Sequence, residues 1–342
     1  MPNVKLSLAC YQYDRTEPLL SGEVRSEGID LEYVNPSFDG SVINFPFRTM
    51  FVNPSYDATE VAIGDYIMNK TSAKSNLTAI PVFPMRAFFH SMIVVNTQSR
   101  IRDPIDLKGK KVGLSEYMTG VGFWTRGVLE HEFGVSPSDI EWVEERKKGE
   151  RIADALGYKP PENVTVHSKS EDSDLVTMLF KGEIDALPTN IGRGKRLLER
   201  IAAAQRIFGR EKIRPLFNDQ KAEAKRFYRK TGLFPANHVI VVRNDILEKN
   251  PWVAQSLYDA FLRAKQLSYK ETASMVREPA NLVWLGNLYD EVAEIFGEDP
   301  YPYGIRSNQK MLDTAIDYAL EQGYAARKPT ISELFASDTL AT

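Results

Sequence analysis

The chain has 342 residues, with 43 Lys plus Arg against 46 Asp plus Glu for a net charge of −3, and a single cysteine. A hydrophobic share of 43% beside 26% charged residues describes a globular chain long enough for two compact lobes. The balanced charge asks for neither nucleic acid nor an anionic membrane, no apolar run reaches the ~20 residues that span a bilayer, and one thiol allows no internal disulfide.

The start, Met1-Pro2-Asn3-Val4-Lys5, has no basic segment followed by an apolar one. Either an export signal has been removed or none is carried, and the expectation is a cytoplasmic protein. From Val4 to Cys10 apolar and polar residues alternate, which predicts a strand with Cys10 as a buried, inert thiol. Tyr11-Gln12-Tyr13-Asp14-Arg15-Thr16 follows as a loop. Loops at the carboxyl ends of strands bind ligands in α/β folds, so Asp14 and Arg15 are early candidates.

Glu27-Gly28 introduces a second strand, Ile29 to Val34. Tyr56 to Ile63 reads as a strand end carrying Glu60, and Ile80 to Pro84 as a short buried strand with proline margins. Ser91 to Val95 and Val239 to Arg243 are strongly β-like. Phe83-Pro84 and His90 precede the first, and Phe234-Pro235 and His238 precede the second. Such matched stretches, far apart in sequence, are the pattern of two strands crossing between lobes. They place lobe one in residues 1–97 plus 236–342 and lobe two in 98–235.

Inside lobe two, Asp106 to Leu114 is a turn feeding a strand, and Ser115 to Gly122 leads into a helix with Val121, Trp124, Val128 and Leu129 on one side. Residues 144–163 are charged, contain Pro160-Pro161, and read as a solvated loop or surface helix. Leu175 to Phe180 predicts a helix closed by Gly182, and Ile184 to Leu187 a strand. Past the return strand the chain is largely helical. Asn250 and Pro251 open a helix bearing Leu257, Phe261 and Ala264. Ser307 begins another, with Leu312, Ala315, Ile316, Ala319 and Leu320 inward and Gly323 past its end. Thr330-Ile331-Ser332-Glu333 is a capping box.

In order and spacing these pieces resemble the 4,5-dihydroxyphthalate decarboxylase family. The resemblance rests on Tyr13-Asp14-Arg15 with Gly28-Ile29-Asp30-Leu31, on Phe47-Arg48-Thr49-Met50, on Tyr56-Asp57-Ala58-Thr59-Glu60, and most specifically on the run from Ile80 to Ser91. Gly109 to Gly113 with Glu116-Tyr117, Trp124 with Arg126-Gly127, Gly182 to Ala186, Tyr228 to Pro235 with His238, Pro251 to Ala254, Tyr303-Gly304-Ile305 and Glu333 to Ala336 extend it over the chain. It implies an α/β, type II periplasmic-binding-protein-like fold, with two α/β lobes joined by two crossing hinge strands. It also implies non-oxidative decarboxylation of a hydroxylated aromatic dicarboxylate, such as 4,5-dihydroxyphthalate to protocatechuate and CO2, a step of aromatic catabolism that needs no cofactor.

An aromatic diacid requires fixed cations, and the arginine fork suits carboxylates. Arg15, Arg48, Arg86 and Arg126 lie in the matching segments, where salt bridges are their other reading. The helix beginning near Thr119 offers amides and a positive dipole end to an anion. Gly120-Val121-Gly122 lets backbone approach closely but is no dinucleotide fingerprint, and Gly192-Arg193-Gly194-Lys195 is only a basic loop.

His90 and His238 each precede a crossing strand, and histidine can deliver a proton to a ring carbon at neutral pH. Their alternative is two structural hinge histidines. Glu60 and Glu116 read as acid-base or orienting carboxylates, or else as caps or ion-pair partners. Tyr13, Tyr117 and Trp124 offer rings for stacking, although Trp124 falls equally well on the apolar face. His131, between Glu130 and Glu132, is expected to face solvent, and His167 to be structural.

Two histidines and a carboxylate can hold a divalent ion, but no short ligand spacing is present and no metal is expected. The expected partner is the small dicarboxylate, with a homo-oligomer left open. The rival is a solute-binding protein that traps a small aromatic or other organic anion without converting it, which predicts an export signal or lipid-anchor cysteine.

Overall fold

A computed structural model describes residues 3–36, 46–72, 75–170, 173–189, 195–277 and 284–342, with side chains for all of these but 46–48, 195–198 and 277. Its strands in chain order are β1 (Val4–Ala9), β2 (Ile29–Val34), β3 (Ala58–Ala62), β4 (Leu77–Ile80), β5 (Ile93–Asn96), β6 (Lys111–Leu114), β7 (Glu141–Glu144), β8 (Thr165–Ser168), β9 (Ala186–Pro188), β10 (Ile213–Pro215) and β11 (His238–Arg243).

Two compact units result. Unit 1 holds Met1–Arg86, His238–Thr314 and Arg327–Thr342, and unit 2 holds Ala87–Asn237 and Ala315–Ala326. The first carries a five-stranded sheet in the order β2-β1-β3-β11-β4, and the second a six-stranded sheet in the order β10-β5-β9-β6-β7-β8. In unit 1, β1 runs parallel to β2 and β3, while β11 runs antiparallel to β3 and β4. Central strands of such a sheet are covered on both faces, so β3 and β11 are buried almost throughout. Leu6, Leu8, Ile80, Ile240 and Val242 pack there against Leu257 and Phe261 of the helix Val253–Arg277. Unit 2 closes its own core with Leu175, Leu179 and Phe180 against Ile184 and Leu187.

The lobe boundaries differ from the expected 1–97, 98–235 and 236–342. The chain changes unit at Arg86–Ala87 and Asn237–His238. β5 pairs with β9 and β10, so that strand lies wholly in unit 2. Two further passages, at Thr314–Ala315 and Ala326–Arg327, lend part of the helix Gln309–Glu321 to unit 2. There the Tyr318 ring meets Phe123 and Trp124 edge-on.

Smaller differences have local causes. The strand expected over Ile80 to Pro84 ends at Ile80, because Pro81 and Pro84 cannot donate to a ladder. Phe89–Met92 forms a 3₁₀ turn, which delays the next strand to Ile93. Leu320 is 42% exposed rather than inward, since Leu312, Ala315, Ile316 and Ala319 already complete the buried stripe. Residues 144–163 contain the end of β7 and the helix Ile152–Leu156, stopped by Gly157. The capping box at Thr330 forms as expected, as do the helices Gly120–Phe133 and Leu175–Lys181. Among the described residues no helix is long and apolar enough to cross a membrane.

Candidate active site

Strand register builds the polar centre of unit 1. Ala9 pairs with Thr59 across β1 and β3, so the next residue of each strand, Cys10 and Glu60, are neighbours. Ile240 pairs with Glu60 across β3 and β11, so His238 lies diagonally beside Glu60, within reach of its side chain. Glu60 is fully buried. Its Oε1 accepts from the Tyr13 hydroxyl at 3.2 Å and lies 3.2 Å from His238 Nδ1. The Cys10 thiol, a free cysteine, donates to Oε2 at 3.4 Å. Burial holds the Glu60 carboxyl well above the usual carboxylate range, against the opposing pull of Cys10, Tyr11 and Arg15.

Beside this pair stand the cations. Arg15 donates to the exposed Asp14 at 2.9 Å and to the Pro84 carbonyl. Its guanidinium lies 3.9 Å from the Tyr301 ring centre and 4.6 Å from that of Tyr13. Arg86 donates to the Pro302 carbonyl at 2.9 Å and to Asn308 Oδ1. Burial pulls its guanidinium down to about 10, which still leaves it charged at neutral pH. Arg15 Nε and the hydroxyl of nearby Tyr303 are buried donors with no hydrogen-bond partner among the described residues. Buried donors in folded proteins are nearly always satisfied, so two orphans in one cluster mark a place for an acceptor.

The remaining sequence candidates lie elsewhere. Arg48 belongs to the helix Pro46–Val52, and its side chain is outside the described residues, as are residues 192–194 of the basic loop. His90 belongs to unit 2, so neither unit by itself brings the two histidines together. Its imidazole is fully buried among Phe133, Phe217 and Phe227, with Nε2 3.2 Å from Glu223 Oε1. Glu116 accepts from Arg146 and from the Ala153 amide, both at 2.7 Å, and so anchors the helix Ile152–Leu156.

Trp124 is fully buried and donates to the Ala236 carbonyl at 2.9 Å. Arg126 lies 3.8 Å from the Tyr117 ring centre and donates to the Tyr117 carbonyl, Gln322 and the Tyr324 hydroxyl, all neutral acceptors. Gly122 makes room for it, since a Cβ there would stand 2.7 Å from its Nη1. Thr119 caps the helix Gly120–Phe133 by accepting from the Gly122 amide at 3.1 Å, and the buried Asn237 Oδ1, an acceptor with no partner among the described residues, lies against Gly120.

His131 is half-exposed and 2.7 Å from Glu321, and His167 is exposed on β8. Among the described residues, Glu130, His131 and Glu321 bring ligand atoms within 4.8 Å of one another at the surface of unit 2, well apart in role from the residues named for proton transfer.

Sequence reasoning passed over Lys265, Asp299, Tyr301 and Asn308. Lys265 is buried on the helix Val253–Arg277, where its neighbour Ala264 had already accounted for the inward face. The alternating Pro300-Tyr301-Pro302-Tyr303 run was the signal available for the others.

Sheet orders and crossings of this kind define a class of protein. The chain aligns over its full length with a periplasmic sulfonate-binding protein of Methylobacillus flagellatus, at a TM-score of 0.56, 14% identity and 94% of that chain. The periplasmic aliphatic sulphonate binding protein of Escherichia coli aligns at 0.55 and 14% identity, covering both chains completely. A Candida albicans protein with the generic periplasmic binding protein fold aligns at 0.52 and 14% identity, over 96% of this chain and 92% of that one. The fold is therefore that of the type II periplasmic binding proteins.

No protein-family model matches the chain. A 4,5-dihydroxyphthalate decarboxylase of Comamonas testosteroni is 30% identical over 336 residues, 98% of this chain and 97% of the relative. One of Pseudomonas putida is 33% identical over 233 residues, 67% of this chain and 83% of the relative. The chain belongs to the 4,5-dihydroxyphthalate decarboxylase family, and with it to the carboxy-lyases.

Proposed function

We propose that this protein removes CO2 from a hydroxylated aromatic dicarboxylate, with 4,5-dihydroxyphthalate as the first substrate to try and protocatechuate as its product. The carrying observation is the pair of orphaned buried donors, Arg15 Nε and Tyr303 OH, beside the buried Glu60–His238 pair. Arg15 and Tyr303 hold the carboxylate that stays, and Arg86 adds a second fixed positive charge. Glu60, whose carboxyl burial pushes upward, shares a proton with His238, and His238 passes a proton to the ring carbon bearing the departing carboxylate. The new C–H bond forms as charge is drawn from the phenol oxygen. The C–C bond then breaks, its electron pair restores the aromatic ring, and CO2 leaves. One proton is consumed, and solvent restores it to the pair.

In unit 2, the N-terminal amides of the helix Gly120–Phe133 favour negative charge. Glu116, Arg126, Trp124 and His90 serve packing. We further propose that no cofactor or metal is needed. A buried free cysteine suits a reducing compartment, and we place the enzyme in the cytoplasm.

The test is to incubate purified protein with 4,5-dihydroxyphthalate, with and without a chelator, and follow product by chromatography and CO2 release. Protocatechuate formation that survives the chelator supports the reading. Tight binding without any conversion sinks it and favours a solute receptor.

A further inference from the structure

The segment Asp299–Tyr303 stands behind both arginines of the candidate site. The Tyr301 ring forms the platform 3.9 Å from Arg15 Cζ, and the Pro302 carbonyl accepts from Arg86 at 2.9 Å. Neither group is positioned by regular secondary structure, because the segment lies outside the helices and strands and carries two prolines. Something else must fix it.

That role falls to the helix Val253–Arg277. Lys265 is 2% exposed, although its neighbours on the helix, Phe261 and Ala264, make an apolar core face. Its ammonium donates to Asp299 Oδ2 at 2.5 Å and to the Tyr301 carbonyl at 3.1 Å, and lies 4.7 Å from the Tyr303 ring centre. One helical turn on, the Tyr269 hydroxyl donates to Asp299 Oδ1 at 3.0 Å and accepts from the Tyr301 amide at 3.1 Å. Asn308 holds the far end, donating to the carbonyls of Pro302 at 3.0 Å and Gly304 at 2.7 Å. A buried ammonium is a costly way to fill a helix–loop contact that an apolar side chain would serve. Here its bonds run to the residues that carry the arginines.

We infer that Lys265 is a positioning residue for Arg15 and Arg86, acting through Asp299 and Tyr301 to fix the aromatic platform under one guanidinium and the carbonyl that turns the other. The inference rests on reading those arginines as the holders of substrate carboxylate. Lys265 itself does not touch substrate. Its removal loosens the stack and the fork rather than the proton transfer, so it acts on KM more than on kcat.

The experiment has an arm that needs no substrate. The Nε–Hε NMR signals of Arg15 and Arg86, assigned with Arg15→Lys and Arg86→Lys, are recorded for the wild type, Lys265→Met and Tyr269→Phe. The Arg15 signal should lose the ring-current shift of the stacked guanidinium in Lys265→Met and part of it in Tyr269→Phe. The second variant removes one hydroxyl and keeps the test open should the first fail to fold. In turnover, Lys265→Met should raise KM about tenfold with kcat within about threefold, and should add clearly less in an Arg15→Lys background, where only the part acting through Arg86 remains. An unchanged Arg15 signal in folded variants, or KM losses that multiply in the double variant, overturns the inference. A wild type that turns over no hydroxylated phthalate sinks the decarboxylase reading instead, and the spectra then decide the role of Lys265 alone.

Discussion

Two histidine–glutamate pairs, one in each unit, have the same separation and opposite surroundings. His238 Nδ1 and Glu60 Oε1 are 3.2 Å apart, and so are His90 Nε2 and Glu223 Oε1. Around the first stand Cys10, Tyr13 and Arg15, and burial drives its carboxyl up. Around the second stand phenylalanines and Arg226, which donates to Glu223 at 2.7 and 2.9 Å. Burial pushes Glu223 up as well, but the bonds from His90 and Arg226 outweigh it and hold the carboxyl at about 2. Burial also lowers His90, against the pull of Glu223. A contact distance therefore says little about what a pair does. Its third and fourth neighbours decide whether a proton is held ready or the pair is locked as a post in the core.

The comparison can be broken by experiment, and the largest effect should come from His238. Replacing it by alanine is expected to lower kcat by about 10²–10⁴ with little change in unfolding midpoint. Replacing His90 by alanine should leave kcat within about threefold. Equal losses of kcat in both variants, measured by steady-state decarboxylation, would end the distinction drawn between the pairs. Next comes Arg15→Met, expected to raise KM about 100-fold through loss of charge-assisted bonds worth roughly 2–3 kcal/mol. The same variant should affect a monoacid inhibitor less than a diacid.

Stability follows the other pair. His90→Ala should cost about 2–3 kcal/mol in urea unfolding, because it opens a space among three phenylalanine rings and takes a partner from Glu223.

The two carboxylates also predict opposite slopes with pH. Glu60 is raised in the folded protein, so its contribution to stability is present below about pH 4.3 and lost as pH rises through its folded value. Glu223 is lowered, so its contribution is present above about 4.3 and lost as pH falls towards 2. Glu60→Gln should flatten the alkaline limb of the urea midpoint and Glu223→Gln the acid limb. A swap of those limbs would show the assignment reversed. The smallest change is expected from Cys10→Ala, within about threefold in kcat, because a thiol is a weak donor.

The sequence made some of this legible and hid the rest for definable reasons. The strand Ile29–Val34 and the capping box at Thr330 are local patterns, and local patterns survive folding. His238, Glu60 and Arg15 were each readable as reactive residue types near strand ends. Their assembly was not, because it depends on the register of β1, β3 and β11, strands drawn from distant parts of the chain. The likeness of the segments before Ser91 and Val239 suggested equal roles for two histidines. A single 3₁₀ turn at Phe89–Met92 instead carries His90 into an aromatic shell. Lys265 was masked by the helical stripe around it, since periodicity reports which face is inward and not what an inward lysine holds.

The passage of residues 315–326 into unit 2 bears on how the chain matures. Arg126 reads out from the ribosome nearly two hundred residues before Gln322 and Tyr324, the side chains that receive two of its three bonds. Until they arrive, a guanidinium destined for the interior has, of those three acceptors, only the Tyr117 carbonyl, beside the Tyr117 ring it stacks on. Unit 2 is therefore expected to complete its core only once Tyr324 has been made, even though 87–237 are contiguous, and a chain truncated before Tyr324 should be digested faster in limited proteolysis than the full chain.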